Sequence, residues 1–212
     1  MVDEKPLLVD PAVSRAKFER EVAEYRQLEK EHLARGWMLL RAEYPEVFVV
    51  FANPQMKPPA VIFGALLDFT NYDLWAPSVK LVNPFTQEPY KAKELPVHLL
   101  RQPPMSEIPP PLQAMLQQGV PFEQLMQQFQ MRPTRLDVWY SPDDIPFVCL
   151  PGIREYHEHP GHSGDSWLLH RDRGEGKLYF ILEQLYKYGV LPMTYTVDIV
   201  TVVKLAPQGI PE

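Results

Sequence analysis

Three apolar, strand-like segments follow one another in the first third of the chain, and they limit the folds that it can adopt. They read WMLLRA, VFVVFA and VIFGALLDF, and the stretches between them, EYPE and NPQMKPP, are rich in turn-forming residues. This arrangement predicts a meander of antiparallel strands. A shorter apolar segment, SVKLVNP, follows YDLWAP and predicts a fourth strand.

Amphipathic helices are predicted on both sides of this strand region. The first begins at Asp10 and Pro11, a favourable cap and first-turn pair, and runs to Gly36, a natural helix terminator. Its apolar stripe consists of Phe18, Val22, Tyr25, Leu28 and Leu33. The second helix lies in GEGKLYFILEQLYKYG and ends at Gly189. Its buried stripe consists of Leu178, Ile181, Leu182, Leu185 and Tyr186.

The middle of the chain, residues 84–133, is rich in proline and glutamine. Within it, PPLQAMLQQG and PFEQLMQQFQMR predict two short helices whose Met, Leu and Phe side chains face inward. Near the C-terminus, MTYTVDIVTVVKL alternates like a strand with one solvated face. Because no internal repeat or long linker separates these parts, we expect one α+β domain over residues 1–212. Residues 84–133 form an insertion in it, and a helix plus a strand complete it.

Composition excludes several classes of protein. A formal net charge of −6 argues against nucleic-acid binding, because counterion release requires clustered Lys and Arg side chains. No disulfide framework is possible with one cysteine. The chain shows no apolar leader, and its longest apolar candidate span, Ala60 to Leu67, is too short to cross a membrane. We therefore expect a soluble cytoplasmic protein without a nucleic-acid or membrane partner.

The densest group of chemically reactive residues lies in CLPGIREYHEHPGHSGDSW. Its spacing is C-x5-E-x-H-x-H-x2-H, formed by Cys149, Glu155, His157, His159 and His162. Thiolate, imidazole and carboxylate are the ligands that zinc prefers. If REYHEHP is extended, Glu155, His157 and His159 point the same way. A turn at Pro160 and Gly161 then returns His162, and the preceding loop brings in Cys149.

A tetrahedral zinc ion takes four of these five donors. The preferred set is Cys149, Glu155, His157 and His162, with His159 as a possible replacement for Glu155. Asp165 is expected to accept the second ring N–H of a ligating histidine, or to cap the following turn. Two other interpretations stay open. The segment is a solvated loop rich in histidine, or Cys149 is a nucleophile whose pKa a nearby histidine lowers.

Other charged residues are expected to have structural roles. His32, His98 and His170 are assigned to the surface or to helix ends, and Arg154 and Arg171 to ion pairs beside the histidine segment.

The order of elements resembles the ubiquitin-conjugating enzyme (UBC/RWD) fold. VIFGALLDFTNYDLWAPSVKLVNP is similar to the strand and the Tyr/Pro-rich segment of that family, and FVCLPG to the context of its catalytic cysteine, with Trp167 near the family's later tryptophan. The resemblance implies that Cys149 occupies the position of the thioester cysteine. The His-Pro-Asn motif that precedes this cysteine in the family is replaced here by YSPDDIPF.

The segment CLPGIREYHEHPGHSGDSWLLHR also resembles the signature of a predicted metal-binding Cys-Glu-His-His (CEHH) family. That family occurs in bacterial operons for ubiquitin-like proteins with their activating, conjugating and deconjugating enzymes. The resemblance implies a zinc-binding accessory of such a pathway, with one of these proteins as its partner. The alternatives are a thioester-forming transferase that uses Cys149, a metal-dependent hydrolase, and an interaction module without catalytic activity.

Overall fold

A four-stranded antiparallel sheet forms the centre of the computed structural model, which describes residues 7–103, 107–129 and 132–193. Its strands are β1 (Trp37–Glu43), β2 (Glu46–Asn53), β3 (Ala60–Asp68) and β4 (Ser78–Val82), in that order across the sheet. Each pairs antiparallel with the next one along the chain. The predicted meander and its fourth strand are confirmed, as is the mixed α and β composition.

Strand β2 is buried on both faces of the sheet, which explains its uninterrupted apolar sequence. Side chains alternate between faces along a strand. Val47, Val49 and Phe51 join the main core, whereas Phe48 and Val50 form a smaller cluster on the opposite face with Val82 of β4.

The first predicted helix is interrupted. Helix α1 (Pro11–Gln27) begins as expected, because the Asp10 side chain accepts a hydrogen bond of 2.8 Å from the Ala12 N–H. The chain leaves the helical conformation at Leu28 and continues as a short helix, α2 (Glu29–Ala34). Phe18, Val22 and Tyr25 are buried as predicted, but Leu28 and Leu33 are about half exposed, so the stripe ends before them.

The proline- and glutamine-rich region contains both predicted helices, α3 (Pro110–Gln117) and α4 (Phe122–Gln128). Leu112 and Leu125 face inward, whereas Phe129 is exposed. This part of the chain and the residues after it also form two short strand pairs: β5 (Leu100–Arg101) with β6 (Thr134–Arg135), and β7 (Asp137–Val138) with β8 (Phe147–Val148). The second pair leads directly to Cys149.

The last two described helices are α5 (Arg154–Glu158) and α6 (Leu178–Gly189). Helix α6 contacts α1, and all five residues of its predicted stripe are buried. The predicted C-terminal strand lies outside the described residues, apart from its first residue. Among the helices of the described ranges, we find none with both the length and the apolar character that crossing a bilayer requires.

Candidate active site

Cys149 is placed by the strand pair that precedes it. Its backbone N–H donates a 2.7 Å hydrogen bond to the carbonyl of Leu136, which continues the pairing of β7 with β8 by one step. The side chain is half-buried, and its Sγ atom lies 3.3 Å from Nε2 of His162. A thiol and an imidazole thus lie at hydrogen-bonding distance.

Residues Arg154–Glu158 are helical, so the extended conformation considered for REYHEHP is wrong. Gly152 adopts a φ of +88°, and a Cβ atom built there would lie 2.1 Å from the carbonyl oxygen of Glu175. This glycine turns the chain into α5, whose first residue, Arg154, is buried against the sheet. The Arg154 guanidinium donates to the carbonyls of Ala76, at 3.0 Å, and Thr70, at 2.8 Å. Contacts with residues that are distant in sequence thus override the alternating pattern of REYHEHP.

Glu155 points toward the sheet. Its carboxylate accepts a hydrogen bond from the Ser78 hydroxyl and a 3.3 Å hydrogen bond from the Val79 N–H, both in β4. The Arg154 side chain, next to it in sequence, also contacts the region around the end of β3, including an ion-pair distance of 3.6 Å to Asp68. Both side chains therefore fasten α5 to the sheet, as the sequence suggested for Arg154.

His157 and His159 are bonded to other groups through both ring nitrogens. In His157, Nε2 accepts from the Gly152 N–H at 3.0 Å, and Nδ1 donates to the Asp165 carbonyl at 2.8 Å. His159 accepts from the Gly161 N–H at Nδ1, and its Nε2 lies 2.6 Å from the Tyr140 hydroxyl. Burial lowers the pKa of His157, in agreement with a neutral ring that donates at one nitrogen and accepts at the other.

The structure therefore brings together two of the five predicted metal ligands. Cys149 and His162 are adjacent, whereas the donor atoms of Glu155, His157 and His159 face other partners. Within residues 7–103, 107–129 and 132–193, no three His, Cys, Asp or Glu side chains have the arrangement of a metal site. Cys149 and His162 suit zinc in ligand type and spacing, but a four-ligand set would require the other donors to leave their present partners.

Asp165 lies at the centre of a polar network beside this pair. Its carboxylate accepts from the Tyr156 hydroxyl at 2.6 Å and from Nε2 of His170 at 2.5 Å, while its backbone carbonyl accepts from His157. The other His170 nitrogen, Nδ1, donates to the carboxylate of Glu175. Asp165 thus accepts the ring N–H of His157 through its backbone oxygen, and whether His157 ligates a metal stays a prediction.

His170 was not recognised as part of the site from the sequence. It lies at a helix end, as one of its two expected placements had it, between the short 3-10 helices Trp167–Leu169 and Arg171–Arg173, but it is only 7% exposed. A detectable signal existed, because an acidic residue stands five positions before it and another five positions after it. Of the other histidines in that assignment, His98 is about half exposed and bonds to Asp137, and His32 is buried.

The pKa values of Cys149 and His170 are both raised, but for different physical reasons. Burial raises the pKa of the Cys149 thiol, and the charge of Arg101 opposes this only in part. For His170, burial works to lower the pKa, but the hydrogen bonds to Asp165 and Glu175 outweigh it and raise the pKa overall. Burial thus favours the protonated thiol of Cys149, and the two carboxylates favour the imidazolium form of His170.

A cavity of about 440 Å³ opens next to His162. Its walls include the rings of Trp75, His157 and Trp167, together with the exposed side chains of Leu74 and Leu168. An apolar cavity with a few polar groups is the usual form of a ligand site. A reactant bound in this cavity would lie beside the imidazole that contacts Cys149.

Comparison with known proteins matches this whole region to one protein family. Residues 9–193 match the sequence model of the Y4jH-like family, described as the Y4jH family. The chain is 42% identical, over 187 residues, to "Uncharacterized protein y4jH" of Sinorhizobium fredii (strain NBRC 101917 / NGR234). The similarity covers 87% of this chain and 85% of that protein. The matched residues include the sheet, the Cys149–His162 pair and the network around Asp165.

Proposed function

This chain belongs to the Y4jH-like family, and from its own side chains we propose that it is a cysteine-dependent acyl transferase in which Cys149 carries the acyl group as a thioester. His162 is the general base that removes the thiol proton. The observation that carries this proposal is the 3.3 Å contact between Cys149 Sγ and His162 Nε2. Nucleophilic cysteines are typically activated by a histidine at this distance.

The raised pKa of Cys149 determines when the thiol loses its proton during the reaction. Because the resting thiol is protonated, His162 takes its proton as Sγ attacks the carbonyl carbon of an acyl thioester donor. The new carbon–sulfur bond forms, the bond to the donor's sulfur breaks, and the proton on His162 passes to the departing thiolate. The products are the Cys149 thioester and a free thiol, so the step needs no oxidant or metal ion.

The order of elements supports a more specific substrate, namely the C-terminus of a ubiquitin-like protein. An N-terminal helix, a four-stranded meander and a cysteine in the loop beyond it resemble the ubiquitin-conjugating (UBC/RWD) arrangement. On this proposal, the partners are a ubiquitin-like protein and the enzymes that activate or remove it. A reducing compartment such as the cytoplasm suits a lone reactive cysteine.

Zinc binding is the second candidate, because the same sulfur–nitrogen distance also suits two ligands of one ion. Zn–S bonds of about 2.3 Å and Zn–N bonds of about 2.0 Å place the two donor atoms roughly 3.5 Å apart in a tetrahedral site. Cys149 and His162 would be the two anchoring ligands of an accessory protein of the same pathway. The two candidates exclude each other, since a metal-bound thiolate is not available for acyl transfer.

The test uses a peptide thioester that ends in Gly-Gly as the acyl donor. We expect the intact mass of the purified protein to increase by one acyl group, and hydroxylamine to remove it. Cys149→Ala should form no adduct, and His162→Gln should form it at least about a hundredfold more slowly, the usual loss for a missing general base. His98→Gln is the matched control, because that imidazole likewise contacts another side chain, the Asp137 carboxylate, but lies outside the site.

Two results would overturn acyl transfer. The first is a His162→Gln protein that is acylated at the wild-type rate. The second is about one zinc ion per chain by elemental analysis, lost in both Cys149→Ser and His162→Ala, together with no adduct in the zinc-loaded protein. The second result establishes the zinc candidate instead.

A further inference from the structure

The Tyr156 ring packs against one face of the His162 imidazole. The two rings are stacked with their centroids 4.0 Å apart and an interplanar angle of 25°. Tyr156 lies in α5, so the helix supplies a flat surface that restricts the rotation of the His162 ring. The orientation of Nε2 toward Cys149 depends on this surface, because a stacked ring can turn only within its own plane.

The phenol of Tyr156 is itself tied to Asp165 by the 2.6 Å hydrogen bond to Oδ2. Asp165 is in turn held through Oδ1 by Nε2 of His170, whose other nitrogen is bound to Glu175. Hydrogen bonds between charged partners are about twice as strong as those between neutral ones. The buried His170 ring thus fixes the carboxylate that fixes the tyrosine.

Asp165 is also connected to the turn that follows Cys149. The backbone carbonyl of Asp165 accepts from Nδ1 of His157, and Nε2 of His157 accepts from the N–H of Gly152. Gly152 lies three residues after Cys149, in the turn that begins the helical segment. Two separate chains of contacts therefore lead from Asp165, one to His162 and the other to the turn after Cys149.

We propose that Asp165, clamped by His170 and Glu175, is the positioning residue of the reactive pair, acting on His162 through Tyr156 and on the turn after Cys149 through His157. This inference rests on the proposed function. Asp165 does not touch the reacting atoms, so its removal should reduce the reactivity of Cys149 without abolishing it.

A purely structural role predicts a different result. The Asp165 side chain is about one-third exposed, and ion pairs of partly exposed groups contribute little to the free energy of unfolding. If the network only stabilised the fold, its removal would lower the melting temperature slightly and leave the reactivity of Cys149 unchanged. A positioning role also predicts little change in the melting temperature, but it predicts a clear loss of Cys149 reactivity.

The experiment measures the rate at which iodoacetamide alkylates Cys149, by intact mass, at one pH. We expect Asp165→Ala and Tyr156→Leu to slow alkylation by about tenfold, because both release the His162 ring. Tyr156→Phe keeps the stacked ring but loses the hydrogen bond to Asp165, and we expect a smaller loss of about threefold. Asp172→Ala is the control, since that carboxylate is 93% exposed and lies outside the network. Melting curves establish that each variant is folded, and Tyr156→Phe is the variant least able to disturb packing.

A second measurement reports the ring directly. In protein labelled with ¹⁵N-histidine, we expect the His162 ring signals to shift in Asp165→Ala and to stay in place in Asp172→Ala. Wild-type alkylation rates in Asp165→Ala and both Tyr156 variants, with His162→Gln still slow, would overturn the positioning role alone. If His162→Gln itself reacts like the wild type, the proposed function fails first.

Discussion

At the scale of single residues, His32 shows how tertiary contacts change the character of a side chain. Its ring is stacked between Tyr25, at 4.4 Å, and Trp37, at 4.9 Å, and is only 2% exposed. Neither ring nitrogen has a hydrogen-bond partner within the part of the chain that the structure describes. Burial and the nearby Arg35 lower its pKa below the ordinary value of 6.5. His32 is therefore a neutral aromatic ring of the core.

We predict that His32→Phe stabilises the protein, because phenylalanine keeps the stacking and removes two unpaired polar atoms. The gain should be about 1 kcal/mol at pH 7.5, measured by urea denaturation. It should increase at pH 5.5. A histidine whose pKa is lower in the folded state binds its proton first in the unfolded state, so stability is lost as the pH falls below 6.5. An equal or smaller gain at pH 5.5 would contradict this account of His32.

Gly152 is the second residue whose environment determines what it tolerates. We predict that Gly152→Ala costs more free energy of unfolding than Gly119→Ala, although both glycines have nearly the same positive φ, +88° and +87°. A left-handed alanine costs about 1–2 kcal/mol at either position. At Gly152 the new Cβ also meets the Glu175 backbone, for a further cost of about 1–3 kcal/mol, whereas at Gly119 no described atom lies within 4 Å. Equal losses of unfolding free energy in thermal or urea denaturation would show that the Glu175 backbone moves away from the new Cβ at little cost.

At the scale of elements, the two long helices differ in how well their sequences predicted their buried faces. Helix α6 buries its complete predicted stripe. The N-terminal stripe fails after Tyr25, because the chain leaves the helical conformation at Leu28 before α2 begins, and Leu28 and Leu33 are about half exposed. The residues around Leu28 include no glycine or proline, so the sequence gives no signal that the helix breaks there.

We predict that this difference appears in stability. Leu182→Ala in α6 should lower the free energy of unfolding by about 2–5 kcal/mol, because Leu182 is fully buried and a cavity replaces it. Leu33→Ala in α2 should change it by no more than about 0.5 kcal/mol, because Leu33 is 53% exposed. Urea denaturation of both variants provides the comparison. A large loss in Leu33→Ala would mean that this surface is covered in solution.

At the scale of the whole molecule, one apolar cluster joins parts of the chain that are distant in sequence. It includes Phe18 of α1, Phe51 of β2, Leu99 beside β5 and Leu185 of α6. Cys149 follows directly after Val148, a buried member of the same cluster. The loop that follows Cys149 is therefore attached to the core at its beginning and, through Arg154, to the sheet at α5. Such attachment fixes the position of Cys149 relative to the sheet.

The sequence by itself determined the main elements of the fold and marked the segment that contains the candidate site. The four strands of the sheet, α3, α4 and α6 follow from local periodicity and turn residues, which depend on neighbours only a few positions away. The same holds for the segment from Cys149 to His162, since a dense group of reactive side chains is visible without any structure. The expected C-terminal strand lies outside the described residues, and zinc binding stays a prediction.

Only the tertiary structure decided which side chains face one another. Glu155 bonds to Ser78, 77 positions earlier, and His159 to Tyr140, 19 positions earlier, and neither partner is marked by the local pattern. A helical or an extended segment both fit REYHEHP, and the Gly152 turn and the Arg154 contacts selected the helix. The direction of a polar side chain depends on which distant donors and acceptors remain unpaired in the folded protein, and that information does not exist until the sheet and its loops have come together.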